Sequence, residues 1–203
     1  MPLRERKEIQ ELLRKMKAKT ISSSTIAQGK FLRLDLLEYM TADGKVCTWE
    51  SVERMVTHSA ALVIATMKQS GRIVLVRQFR PPLNAYALEF PAGLIDPGEG
   101  IEETAVRELR EETGYSCRIL WHTGECSSSP GMGTERVAMV FAEIDENAPE
   151  NIAHKQDLQD NEAIEVLLVA KEELSDVIKA SIARGDVICS RLAVWAACQG
   201  ARW

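Results

Sequence analysis

The apolar positions of the chain gather in short runs between polar turns, and in four places they take on helical spacing instead. The runs "KFLRLDLLEYM" and "KVCTWESVERM" flank "TADGK". Two β-prone runs around Asp43-Gly44 predict a hairpin. "ALVIATMK" and "RIVLVRQF" predict two further strands with a turn near Ser70-Gly71. "PPLNAYALEFPAGLIDPGEG" is loop-rich, with a short strand at "YALEF". "CRILWHTGECSSS", "RVAMVFAEI" and "AIEVLLVA" read as later strands. Helical spacing covers residues 5–18, 101–113, 171–184 and 186–199, and Gly114 stands where a left-handed C-terminal cap is wanted. "DENAPENIAHKQDLQDNE" is a polar loop whose length marks it as functional or mobile. Antiparallel hairpins with interspersed helices predict an α+β fold, an α/β/α sandwich around a mixed sheet. Residues 1–56 form an N-terminal helix and hairpin region whose sheet is too small to stand alone. Residues 57–203 form the larger domain.

Composition narrows the function. The chain has 203 residues, 45% hydrophobic and 27% charged, which suits one domain with a small appendage and a real core. Its net charge of -5 gives no electrostatic reason to expect nucleic acid as a partner. A small anionic substrate would need local help, from a metal ion or a few placed arginines. Five cysteines, irregularly spaced and without a C-x-x-C pair, read as free thiols of a reducing compartment. No apolar run approaches a membrane span. The opening "MPLRERKEIQELLRKMKAK" resembles neither a secretory signal nor an acid-poor transit peptide, so the cytosol is the expected location, with the nucleus as the alternative.

The strongest chemical signal lies in "GLIDPGEGIEETAVRELREETGY", residues 93–115, where three glutamates crowd one helix. At about 100° per residue, Glu108, Glu111 and Glu112 share roughly a third of the circumference, beside an apolar arc of Ala105, Val106, Leu109 and Thr113. Like charges at such spacing repel, and a hard divalent cation would offset that. Mg²⁺ takes oxygen ligands, often one or two carboxylates plus substrate phosphate. The alternative is a solvated acidic face paired with Arg107 and Arg110. Gly93, Gly98 and Gly100 let the preceding loop bend back towards the helix.

Loop and helix together read G-x5-E-x7-R-E-U-x-E-E-x-G-U, with U a bulky apolar residue: Gly93, Glu99, Arg107, Glu108, Leu109, Glu111, Glu112, Gly114 and Tyr115. This resembles the Nudix box with every fixed position filled, Tyr115 standing where an aliphatic residue is more usual. "TWESVER", "VRQFRPPLNAYALEFPAGLID" and "SSSPGMGTE", with Pro130 sixteen residues after Gly114, resemble the ADP-ribose (ADP-sugar) pyrophosphatases within that family. The resemblance implies a Nudix fold and Mg²⁺-dependent hydrolysis of the diphosphate of ADP-ribose or a related ADP-sugar, with Mn²⁺ as an alternative ion. It implies metal ligation by Glu108, Glu112 and the Ala92 carbonyl, with Glu111 as a ligand or water-positioning group. Glu99 is implied as a ligand or a partner of Arg107, which orients the carboxylates. Trp49 would stack on adenine, beside Glu50 and with Phe31 as a second ring. Arg54 and Arg80 would contact phosphate or ribose, and Met132 would lie near the ribose. The general base would be a glutamate of the loop before the last strand, Glu162 first and Glu165 second. The same resemblance implies a homodimer whose active site is shared across the interface. Other substrates, such as UDP-glucose or an oxidised nucleotide, and a non-catalytic nucleotide sensor stay as alternatives. His58, His122 and His154 form no ligand spacing.

Overall fold

The computed structural model describes residues 18–160 and 162–203. The chain divides into two compact units. Of the described residues, one unit holds 18–58 together with Ser127–Glu135, and the other holds those of Ser59–Cys126 and Arg136–Trp203. The helix expected over residues 5–18 lies, but for Ala18, outside the described residues.

The first unit is built on an antiparallel sheet of β1 (Lys19–Gln28), β2 (Leu32–Met40) and β3 (Val46–Arg54), in that order. The expected hairpin joins β2 and β3, with Gly44 at φ 87° and the Thr41 amide donating to Lys45 O at 2.8 Å. Strand β1 was not legible in the sequence. Every residue of "KTISSSTIAQ" is exposed, so neither face imposes alternation, and only its pairing with β2 fixes it as a strand. Residues 129–134 return alongside β3: the Val52 amide donates to Met132 O at 2.8 Å. Gly133 packs so closely there that a Cβ would fall 2.5 Å from Val52 O.

The second unit carries the larger mixed sheet. Strands β4 (Ser59–Met67) and β5 (Ile73–Arg80) form an antiparallel hairpin that pairs only near its turn, at Thr66 and Ile73. Away from that end the two strands take different neighbours. The short β7 (Ala92–Leu94) pairs with β4, and β10 (Ile164–Val169) pairs with β5. On their outer sides β4 runs parallel to β9 (Arg136–Ile144), followed by β8 (Arg118–Ser127). β5 pairs with β6 (Ala85–Glu89), followed by the two-residue β11 (Val187–Ile188). The sheet therefore parts between β4 and β5, and the parting admits β7 and β10.

Helices cover both faces. Helix α1 (Ile101–Thr113) buries Ala105 and Leu109 against Val63, Val74, Val140 and Ile144. On the opposite face α3 (Leu174–Ala183) and α4 (Ser190–Cys198) bury Leu174, Ile178, Leu192 and Ala196 against Leu62, Leu75, Leu88 and Phe90. A single turn, α2 (Pro149–Ile152), interrupts the polar loop before β10. Two helical expectations need correction. Residues 186–189 are not helix: Gly185, at φ 88°, ends the preceding turn, and the β-branched pair Val187-Ile188 joins β6 in parallel. On α1 the buried arc takes Thr104 in place of Val106, which is exposed, because the core lies nearer the glutamate side than the apolar count suggests.

Candidate active site

Helix α1 is fixed at both ends by its own sequence. Asp96-Pro97-Gly98-Glu99 makes a tight turn, with Gly98 at φ 95° and the Glu99 amide donating to Asp96 O at 3.0 Å. The Glu103 carboxylate then accepts the free Gly100 amide at 2.8 Å. At the other end Gly114, at φ 81°, donates to Arg110 O at 2.8 Å. This glycine is required twice over, because a Cβ there would lie 2.6 Å from the backbone nitrogen of Lys155.

Between these caps Arg107 gathers five acceptor oxygens from four residues. Its Nε and Nη2 hold the two oxygens of Glu99 at 2.8 Å each, its Nη1 reaches Glu108 at 2.7 Å and Glu111 at 3.2 Å, and Nη2 also donates to Leu94 O at 3.1 Å. Thr104 Oγ1 adds a bond to Glu99 at 2.8 Å. These hydrogen bonds, first from Arg107 and then from Thr104, hold the Glu99 carboxyl down at a pKa of about 2. Of the two roles open to Glu99, partnership with Arg107 is the one its geometry displays.

Glu108 and Glu112 sit deeper. The Glu108 carboxyl lies against Gly93, where a Cβ would come within 1.9 Å of its carboxyl carbon. Burial raises its pKa, against the pull of Arg107. Glu112 is only 4% exposed, and the single hydrogen bond to its carboxylate among the described residues comes from the Ala92 amide at 3.2 Å. Burial, and then the neighbouring charge of Glu108, push it up to about 8. The site thus holds two adjacent carboxylates in poor solvent, one without a direct cationic partner. Such a pair calls for a proton or a cation. Among the described residues no three acidic, His or Cys side chains converge as a closed cage. Two carboxylates with space for phosphate oxygens and water are what Mg²⁺ commonly takes, so the donor set fits that ion. Glu108 and Glu112 are the residues that would hold it.

Two further groups act on this pair. Glu162, on the loop before β10, raises the pKa of both Glu108 and Glu112 through its charge. Arg80 lowers that of Glu112, although its Nε and Nη2 are already committed to Glu89 at 2.8 and 2.9 Å. Glu89 was not singled out from the sequence, because inside "YALEF" it reads as one polar position of a strand. Glu165 goes elsewhere: it is a β10 residue opposite Arg77, whose Nη1 donates to it at 3.4 Å. Arg77 is itself held by the buried Asp186 through two bonds of 2.8 Å.

The remaining expected residues belong to the first unit. Trp49 is 50% exposed and donates its indole N–H to Gly131 O at 3.1 Å, edge-on to Tyr39. With Leu37, Tyr39 and Pro130 it lines a cavity of about 390 Å³. Glu50 is exposed on β3. Met132 is exposed on the loop that Trp49 grips, and Phe31 is exposed beside Lys30. Arg54 is paired with Glu135 at 2.9 Å.

A family model described as the NUDIX domain matches residues 56–189. The chain is 35% identical over 160 residues to the ADP-sugar pyrophosphatase of Mus musculus, covering 75% of this chain and 73% of that protein. It is 32% identical over 168 residues to the ADP-ribose pyrophosphatase of Bacillus subtilis (strain 168), covering 83% and 86%. Among solved structures, an ADP compounds hydrolase superposes with a TM-score of 0.64 at 21% identity, over 80% of this chain and 83% of that one.

Proposed function

Because the chain belongs to the Nudix family, we propose that it is a Mg²⁺-dependent pyrophosphohydrolase of ADP-ribose or related ADP-sugars. The observation that carries this reading is the buried Glu112, without a direct cationic partner among the described residues, beside the half-buried Glu108, with the charge of Glu162 acting on both. Relatives that split ADP-sugars support the substrate class. The Trp49 cavity supports it too, since an exposed indole face stacks on a base.

Mg²⁺, when bound, supplies positive charge against the diphosphate and acidifies water. The residues do the rest. Glu108 and Glu112 would hold the ion, with Glu111 beside them. Arg107 keeps the carboxylates in place, and the Ala92 carbonyl would add an oxygen to the ion's ligands. Glu162 takes a proton from the attacking water. The water oxygen bonds to one phosphorus, the P–O bridge breaks, and the bridging oxygen leaves with the other phosphate, giving AMP and a sugar phosphate. Arg80 and Arg54 contact the phosphates or ribose, with Met132 near the ribose. Trp49, Glu50 and Phe31 receive adenine.

The active form is a homodimer with the site shared across the interface. The fully exposed edge strand β1, presenting Ile21 and Ile26, supports this, since such an edge invites pairing. Sedimentation at micromolar concentration tests it. The five free cysteines support a reducing compartment, the cytosol. Among the described residues no helix is long and apolar enough to cross a membrane.

The deciding assay incubates the protein with ADP-ribose and Mg²⁺ and identifies products by mass. AMP and ribose 5-phosphate are expected, and none with a chelator. No release of AMP at any Mg²⁺ or Mn²⁺ concentration would end the reading.

A further inference from the structure

The segment that carries Glu162 is tied to the end of α1 by contacts that no box position announces. The Asp157 amide donates to Glu111 O at 2.9 Å. The His154 ring stacks on Tyr115 with centroids 4.1 Å apart. The backbone of Lys155 occupies the space that Gly114 leaves open. One side chain spans the whole arrangement. Gln156 Nε2 donates to Glu112 O at 2.7 Å and to Ile164 O at 3.0 Å. The first acceptor is the main-chain carbonyl of a carboxylate residue on α1. The second opens β10, two residues after Glu162. A single amide thus links the helix of Glu108 and Glu112 directly to the strand start two residues after Glu162.

We propose that Gln156 is a positioning residue: it registers Glu162 against the Glu108 and Glu112 carboxylates by bridging α1 and β10. This rests on the reading of Glu162 as the base. The segment from Leu158 to Ala163 runs between the Asp157 amide, bonded to Glu111 O, and the start of β10, paired to β5, and Gln156 is the side chain that ties these two ends to each other. The side chain must donate at both ends, because both partners are carbonyls, and the glutamine NH₂ carries two donors. Its burial is partial, so its loss leaves the core of the second unit intact.

The test compares Gln156→Ala, Glu162→Gln and the double variant with ADP-ribose and saturating Mg²⁺, at a temperature where all three are folded by circular dichroism. Gln156→Ala should lower kcat about tenfold or more, with KM within about twofold of wild type, since a displaced base slows the chemical step without removing a substrate contact. In the Glu162→Gln background the same substitution should cost nothing further. An equal loss in both backgrounds would show that Gln156 acts through something other than Glu162 and overturn the proposal. So would an unchanged kcat in the single variant. Should Glu162→Gln alone keep the wild-type rate, the base assignment fails and takes the proposal with it, a result distinct from either of the others. Should Gln156→Ala not fold, Gln156→Met keeps the volume without the donor and faces the same criteria.

Discussion

Replacing Glu112 by glutamine should produce a protein that is inactive yet more stable than the wild type when metal is withheld. In the fold the Glu112 carboxyl is pushed up to about 8, from an ordinary value of 4.5, chiefly by burial. The folded protein therefore binds this proton more tightly than the unfolded chain. Below about pH 4.5 both states hold it, and it contributes no difference. As pH rises, the unfolded chain releases it first, so stability falls until the folded group also ionises near pH 8. At pH 7 the two states differ by about two and a half pH units, or at most about 3 kcal/mol at 1.36 kcal/mol per unit. Coupling to Glu108 shares the proton and reduces this, so about 1 to 3 kcal/mol is expected. Glutamine cannot ionise, and its amide oxygen can still accept from Ala92. Urea unfolding in EDTA at pH 5, 7 and 8.5 measures the effect. The wild type should lose stability across that range, the variant should lose less, and its advantage should be largest at pH 8.5. Turnover with Mg²⁺ should fall by at least about 10²-fold, more than loss of a residue behind a ligand costs. A variant less stable than wild type at pH 8.5 in EDTA would refute the argument that Glu112 is a buried carboxylate lacking a counter-charge.

Gly93→Ala places a methyl group within 1.9 Å of the Glu108 carboxyl carbon. Folded protein, checked by circular dichroism, should show turnover reduced by about 10²-fold and a higher Mg²⁺ requirement, because the carboxyl must swing aside. Arg107→Lys replaces a planar fork by a point charge that cannot span Glu99, Glu108 and Glu111. Steady-state kinetics should show kcat lowered by about 10- to 100-fold. Gly114→Ala meets both a positive φ and the Lys155 backbone. Calorimetry should show a loss of roughly 1 to 3 kcal/mol, seen as several degrees in Tm. Trp49→Ala should raise KM for ADP-ribose by about tenfold or more, in line with about 1 to 3 kcal/mol for base stacking. A KM within twofold of wild type would remove Trp49 from the substrate site.

What the sequence disclosed depended on how local each feature was. The glutamate helix was readable because helical period, the Asp96–Glu99 turn and the Gly114 cap all lie within one continuous stretch. The main strands were readable where a buried face imposed an apolar pattern, as in "ALVIATMK" and "RIVLVRQF". β1 escaped because it has no buried face, and Val187-Ile188 because two residues are too few to show a period. Partnerships escaped for another reason. Whether Glu99 serves a metal or Arg107, that Arg80 is forked to Glu89, and that Gln156 bridges Glu112 and Ile164 are facts about direction in space. Only the folded backbone supplies that direction.

The parallel pairing of β4 with β9 has a consequence for how the molecule comes into being. Ser59 meets Arg136 and Met67 meets Ile144 only after a long stretch of chain has been laid down between them. Closing so large a loop costs entropy before any contact repays it. During synthesis β4 and its apolar neighbours must wait, unpaired on one side, until β9 has left the ribosome. The loop of Gln156 and Glu162 emerges later still. A nascent chain halted short of that loop would carry the glutamate helix without Glu162, and its bare strand edge would be open to capture by chaperones or to aggregation.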